Sequence, residues 1–286
     1  MSLTRSLSTI ALLATVAATP PLRAADDRLI MGVFPRLKAG ETTTRYAPMA
    51  NYLGKQLGRE VKLVTSKDFE SFWRGVVEQR YDIVHYNQYH YIRSAKAYQV
   101  VAHIEELGKS TIAGVIYVRK DSGFTKLAQL RGRAVMFGGG EDAMISYIAN
   151  RYLLLQAGLE KNDFKSLFAV NPPNAVLALH RRQADAAGAG DGVLDLPAVR
   201  NAVTAGELIV LATSAPLLQL PVAVRRNMPP KLRASIQSAL VELKNSEAGK
   251  QILKSAGLTG MGKAEDKDYD PCRKIVRAVM GSADPA

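Results

Sequence analysis

Cysteine is almost missing from this chain: Cys272 is the one thiol in 286 residues. No disulfide can form within a single copy, so stability has to come from a buried core. Long apolar runs are missing too, because no stretch reaches the roughly 18 consecutive apolar residues that a membrane-spanning helix needs. Acids are scarce beside bases, 26 Asp and Glu against 38 Lys and Arg, for a formal net charge of +12. Such an excess fits an anionic ligand, an acidic partner or a membrane surface, with a solvated basic surface as the plainer reading. Nucleic acid is disfavoured, since no stripe of Lys and Arg interleaved with aromatics occurs. There is no low-complexity tract, coiled-coil heptad or short fixed-period repeat. The glycines at 138–140 lack the G-x-G-x-x-G spacing of a nucleotide fingerprint.

What is present begins with an export signal over residues 1–24. Arg5 supplies a positive start, ALLATVAA an apolar stretch and PLRA a small-residue end, so cleavage is expected after Ala24. No cysteine near that end offers a lipid-attachment site, and the expectation is a free periplasmic protein. Losing Arg5 and Arg23 lowers the positive charge by two. Residues 25–286 then have the size of two compact lobes on the usual scale of ~100–150 residues each.

The patterning alternates strand and helix. DRLIMGVFP reads as a strand ending at Pro35, followed by a loop and a helix in YAPMANYLGKQLG, with Met49, Tyr52, Leu53 and Leu57 at helical spacing. VKLVTS reads as a strand, DFESFWRGVVEQR as a helix with Phe69, Phe72, Val76 and Val77 on one face, and YDIVHY as another strand. After residue 113 the scheme repeats: AGVIYVRK and RAVMFGG as strands, AMISYIANRYLLLQAG as a helix closed by Gly158, NAVLALHRRQ as a helix and ADAAGAG as a strand and turn. LIVLATSAP and LPVAVRR follow, then helices in PPKLRASIQSALVELKNS and EAGKQILKSAG, with Gly257 as a stop. Alternating strands and helices imply βαβ units and a mostly parallel sheet in each of two α/β units. A ligand cleft is expected between them.

The order of MGVFP, RYAPMANYLGKQLG, RGVVEQRYDIVHYNQYHYIRSA, IYVRKDSGFTKLAQLRGRAVMFG, ALHRRQADAAG, SAPLLQLPVAVRRNMPPKLR and EAGKQIL resembles the PhnD-like solute-binding proteins of phosphate, phosphite and phosphonate ABC transporters. The resemblance covers nearly the whole chain after residue 24. It implies a type II-like periplasmic binding fold of two Rossmann-like lobes joined by a two-stranded hinge, lobe one from 25–112 plus 213–286 and lobe two from 113–212. It implies a small-molecule or ion ligand, a membrane permease or a periplasmic sensor domain as partner, and no catalysis or cofactor.

The resemblance also points to site residues. Relatives carry Ser-Thr-Ser-Gly at the start of the helix after the FG strand, where hydroxyls and free N–H groups hold a phosphoryl group. Here those positions are Ala143, Met144, Ile145 and Ser146, preceded by Glu141 and Asp142. Carboxylates there complement the helix end and exclude an oxyanion from it. A family histidine falls on Pro172, leaving Asn171 or Asn174 as substitute donors. Tyr86 matches a ligand-contacting tyrosine, with Asn87 and Gln88 beside it and Phe69 replacing another tyrosine. Thr42, Thr43, Thr44 and Arg45 lie in the expected first loop, and Asp191 and Gly192 near the expected hinge. By family default the ligand is a phosphate-, phosphite- or phosphonate-type oxyanion. The alternative is a transition-metal ion held by His85, Tyr89, His90 and Glu141. Ser146 has no evident triad partners, and Cys272 near the carboxyl end reads as structural or intermolecular.

Overall fold

The computed structural model describes residues 28–281, so the expected export signal at 1–24 lies outside the described residues. Strand β1 (Leu29–Val33) leads into helix α1 (Ala39–Leu57), which buries Tyr46, Met49, Ala50 and Leu53, one stripe at helical spacing. The helix begins earlier than the sequence implies. Thr43 and Thr44 donate from Oγ1 to the carbonyls of Ala39 and Gly40, both at 3.0 Å, so they form a helical turn ahead of Pro48 where a loop was expected.

Strand β2 (Val61–Thr65), helix α2 (Phe69–Val77) and strand β3 (Ile83–His85) complete a βαβαβ unit in which β1 pairs in parallel with β2 and β3. Asp68 opens α2 by accepting from the Ser71 N–H at 2.8 Å. Phe72 and Val76 are buried, but Val77 is 60% exposed and lies off the face it was expected to share. Helix α3 (Gln88–Ser94) and strand β4 (Tyr98–Glu105) follow.

The chain then crosses on β5 (Thr111–Ile112) and builds a second sheet from β6 (Gly114–Arg119), β7 (Ala134–Gly138), β8 (Lys165–Ala169), β9 (Ala186–Gly190) and β10 (Leu208–Thr213). Its strand order is β10-β6-β9-β7-β8, and β10 carries this sheet through Thr213, a residue assigned from sequence to lobe one. Between the strands lie a π-helical segment Met144–Ala149 continued by α4 (Asn150–Gln156), α5 (Pro172–His180) and α6 (Pro197–Arg200). The return strand β11 (Leu217–Leu218) pairs antiparallel with β5, so two short strands join the halves.

Strand β12 (Pro221–Arg225), helices α7 (Pro230–Glu242) and α8 (Glu247–Ser255), strand β13 (Gly260–Lys263) and helix α9 (Asp270–Met280) end the described chain. The first sheet has the order β13-β4-β12-β3-β1-β2, and both sheets are mixed rather than mostly parallel: β12 and β13 run antiparallel to their neighbours in the first, and β6 runs antiparallel to β10 and β9 in the second. Helix α9 belongs in sequence to the first half yet packs against α3, α4 and the π-helical segment. One apolar core therefore runs from the first sheet through Cys272, Ile275 and Val276 to Met144, Ile148 and Phe137 of the second. A separate cluster, with Tyr117, Val176, Leu179 and Val199, fills the other face of the second sheet.

Candidate functional site

The β3–α3 junction lies in the middle of the first sheet, where the chain leaves a buried strand and starts a helix. Asn87 does two jobs there. Its Oδ1 caps α3 by accepting from the His90 N–H at 2.8 Å, and its Nδ2 donates to the backbone carbonyl of Asp142 at 3.0 Å in the other lobe. His90 reaches the same residue, with Nε2 3.1 Å from Asp142 Oδ2. Gln88 donates from Nε2 to the carbonyl of Leu218, on hinge strand β11, at 2.9 Å. Asn87 at the cap of α3, with Gln88 and His90 in its first turn, thus ties lobe one to lobe two and to the hinge.

An aromatic wall flanks this junction. Phe69 and Trp73 lie one turn apart on α2, and the His90 ring stacks on them with centroids at 6.1 and 5.2 Å. Phe34 meets Phe69 edge-on at 6.0 Å and His85 edge-on at 5.3 Å. Cations lie over the wall: Arg93 is 4.3 Å from the Trp73 centroid, and Arg36, which donates to Glu106 at 2.9 Å, is 5.8 Å from that of Phe34.

The protonation states follow from the partners. Burial pushes the His85 pKa down to about 4, against a smaller upward pull from its hydrogen bond to the Pro221 carbonyl. That carbonyl only accepts, so His85 Nδ1 carries the proton and Nε2 is a lone pair. Burial alone would raise the Asp142 carboxyl, but the hydrogen bond and charge attraction from His90 outweigh it and hold the group ionised below the ordinary carboxylate value. An ionised carboxylate also only accepts, so His90 Nε2 donates.

Several expected site residues lie elsewhere. Tyr86 is fully buried and hydrogen-bonds Ser94 through its hydroxyl at 2.9 Å, among Tyr91 and Tyr98. Side chains alternate along a strand, and here His85 takes the wall side and Tyr86 the core side. Glu141 points away from the histidines and pairs with Lys161 at 2.8 Å. Met144 is buried in the core, as its apolar side chain demands, while Ala143 is half-buried at the start of the π-helical segment. Thr43 is exposed on α1. Asn174 is exposed, and its N–H is capped by Asn171 Oδ1 at 3.0 Å, so Asn171 is spent on its own helix. Asp191 accepts from the Ala113 N–H at 3.3 Å and meets Lys109 at 3.4 Å beside the hinge.

The metal set does not assemble. His85 faces Phe34 and Tyr46, His90 faces Asp142, Glu141 faces Lys161, and among the described residues no group of three or more His, Cys, Asp and Glu side chains is placed to hold an ion. Asn87, Gln88, His90, Phe69 and Asp142 are brought together instead. Trp73, Phe34 and Arg93 join them without having been singled out from sequence. The Phe69–Trp73 spacing of four residues ahead of a strand was the signal that could have found Trp73.

Two sheets joined by a short strand pair, meeting at polar residues of a strand–helix junction, define the class of two-lobed periplasmic binding proteins, type II-like, and comparison with known proteins agrees. A protein from Xanthomonas citri solved bound to ATP superposes with a TM-score of 0.76 at 15% identity, over 89% of this chain and 98% of the other. PhnD1 from Prochlorococcus marinus in complex with methylphosphonate gives 0.75 at 18% identity, over 90% and 99%. The binding protein component of an ABC phosphonate transporter from Pseudomonas aeruginosa gives 0.73 at 15% identity, over 90% and 87%. The model of the phosphonate ABC transporter periplasmic substrate-binding proteins matches residues 31–269. The chain belongs to that family of periplasmic solute-binding components.

Proposed function

We propose that this protein captures a small solute between its lobes and hands it to the permease of an ABC transporter, without catalysis. The observation that carries the reading is the convergence of Asn87 and His90 of lobe one on Asp142 of lobe two, at 3.0 and 3.1 Å, beside the hinge contact of Gln88. A ligand admitted there touches both lobes and favours their closure. The family and the neighbours solved with methylphosphonate and ATP make phosphorus oxyanions the class to test first. Against them stand an ionised Asp142 at the second-lobe turn and no hydroxyl side chain at 143–145.

Trp73 is the one tryptophan of the chain and stacks on His90, so its fluorescence reports on the site. Purified protein is incubated with a small-molecule extract of the host cell and desalted, and retained compounds are identified by mass spectrometry. One retained solute that alters Trp73 emission and is lost in Asn87→Ala is the expected result. No compound retained and no change in emission refutes the receptor reading.

A further inference from the structure

The hydrogen-bonding ledger of the β3–α3 junction is one-sided, and it specifies the ligand more closely than the family does. The donors of His85 Nδ1, Asn87 Nδ2, Gln88 Nε2 and His90 Nε2 are each engaged by the protein, while the Arg93 guanidinium lies over Trp73. His85 Nδ1 gives to Pro221, Asn87 Nδ2 to the Asp142 carbonyl, Gln88 Nε2 to the Leu218 carbonyl and His90 Nε2 to the Asp142 carboxylate. The acceptors are not engaged. His85 Nε2 and Gln88 Oε1 are buried with no hydrogen-bond partner among the described residues, and both side chains are at least nine-tenths buried. The Asp142 side chain adds a carboxylate that is 37% exposed.

Charge and shape point the same way. The wall formed by His85, Phe34, Phe69, His90 and Trp73 presents aromatic faces that already attract Arg36 and Arg93. Aromatic faces beside a carboxylate and lone-pair acceptors match a cation or an N–H donor with an apolar body. An oxyanion sets its negative charge against the Asp142 carboxylate, and only a P–OH that it still carries at neutral pH could meet the buried lone pairs. The first-turn N–H groups of the π-helical segment follow directly on Asp142, whose charge complements that helix end and competes there with an incoming anion.

We propose that the interlobe site takes a small solute carrying an ammonium or amide N–H group on an apolar body, and that Asp142 is the residue selecting it over bare oxyanions. The proposal rests on the receptor reading above.

Calorimetry and Trp73 fluorescence on the full chain compare two sets of probes at neutral pH. Ethanolamine, putrescine and acetamide form one set; phosphate, phosphite and methylphosphonate form the other. Saturable binding in the first set, weakened tenfold or more in Asp142→Asn, is the expected result. Binding of an oxyanion alone overturns the proposal and leaves the receptor reading standing. Binding in the first set with affinity unchanged in a folded Asp142→Asn overturns the selecting role of Asp142. Silence in both sets overturns the proposal, and the extract experiment then decides separately whether the protein is a receptor. Should Asp142→Asn fail to fold, the ranking of the two sets on the unaltered chain decides alone.

Discussion

His85 and Tyr86 are neighbours in sequence with opposite fates. Both are buried, so hydrophobic patterning does not tell which faces the wall and which the core; β3 is covered on both faces, and its alternation leaves no polar marker. Their chemistry separates them experimentally. The unfolded His85 binds protons below its ordinary pKa of about 6.5, while burial holds the folded ring neutral down to about 4. Between those values the unfolded state carries more protons, so stability rises with pH across the window. The contribution is fully present above about 6.5 and amounts to as much as ~3 kcal/mol. Denaturant melts at pH 4.5 and 7 should differ less in His85→Asn than in the native sequence. An unchanged difference sets the lowered pKa aside. Tyr86→Phe should remove the hydroxyl bond to Ser94 for about 1 kcal/mol and leave ligand affinity as it is. A tenfold loss of affinity in that variant would return Tyr86 to the site.

At the scale of elements, the strands with strong β-type runs were legible: β1, β2, β6, β7, β9, β10 and β12 all lie within stretches read from sequence. Helix α1 was legible only in its second half. Its first turns carry Gly40, Thr42, Thr43 and Thr44 ahead of Pro48, residues that favour loops in isolation, and the helix forms because tertiary burial of Tyr46, Met49 and Leu53 overrides that preference. The start of α5 was obscured in another way. The helix was read only from Asn174, in NAVLALHRRQ, yet Pro172 opens it behind the Asn171 cap, and β7 packs so closely beneath it that Gly138 has no room for a side chain. A Cβ at Gly138 would stand 2.3 Å from the Pro172 backbone N and Cα. Gly138→Ala should therefore push α5 away from β7 and destabilise the fold by ~1–3 kcal/mol, read as a lower midpoint in denaturant. A variant as stable as the native chain would show that this junction is loose.

At the scale of the molecule, two α/β units and a hinge were readable because the alternation of elements and the order of motifs span the chain. The role of α9 was not, since nothing in YDPCRK shows that a helix at the end of one half packs on the other. That packing buries the single thiol in the continuous core, and burial pushes the Cys272 pKa up to about 12. At pH 8 only about one thiolate in ten thousand forms in the closed native state. Cys272 is thus shielded by both lack of access and lack of charge, and alkylation has to wait for α9 to leave its seat. Where such opening is fast compared with alkylation, the labelling rate follows the open population. A ligand that binds only the closed form lowers that population by the factor 1 + [L]/Kd, or ~100-fold at a hundred times Kd. Iodoacetamide should label Cys272 at once in denaturant and very slowly in native buffer, and more slowly still as the solute titrates in. A native rate close to that of the unfolded chain would mean that α9 does not hold the two lobes together. A native rate that stays constant while Trp73 fluorescence saturates would mean that binding leaves the exposure of Cys272 unchanged.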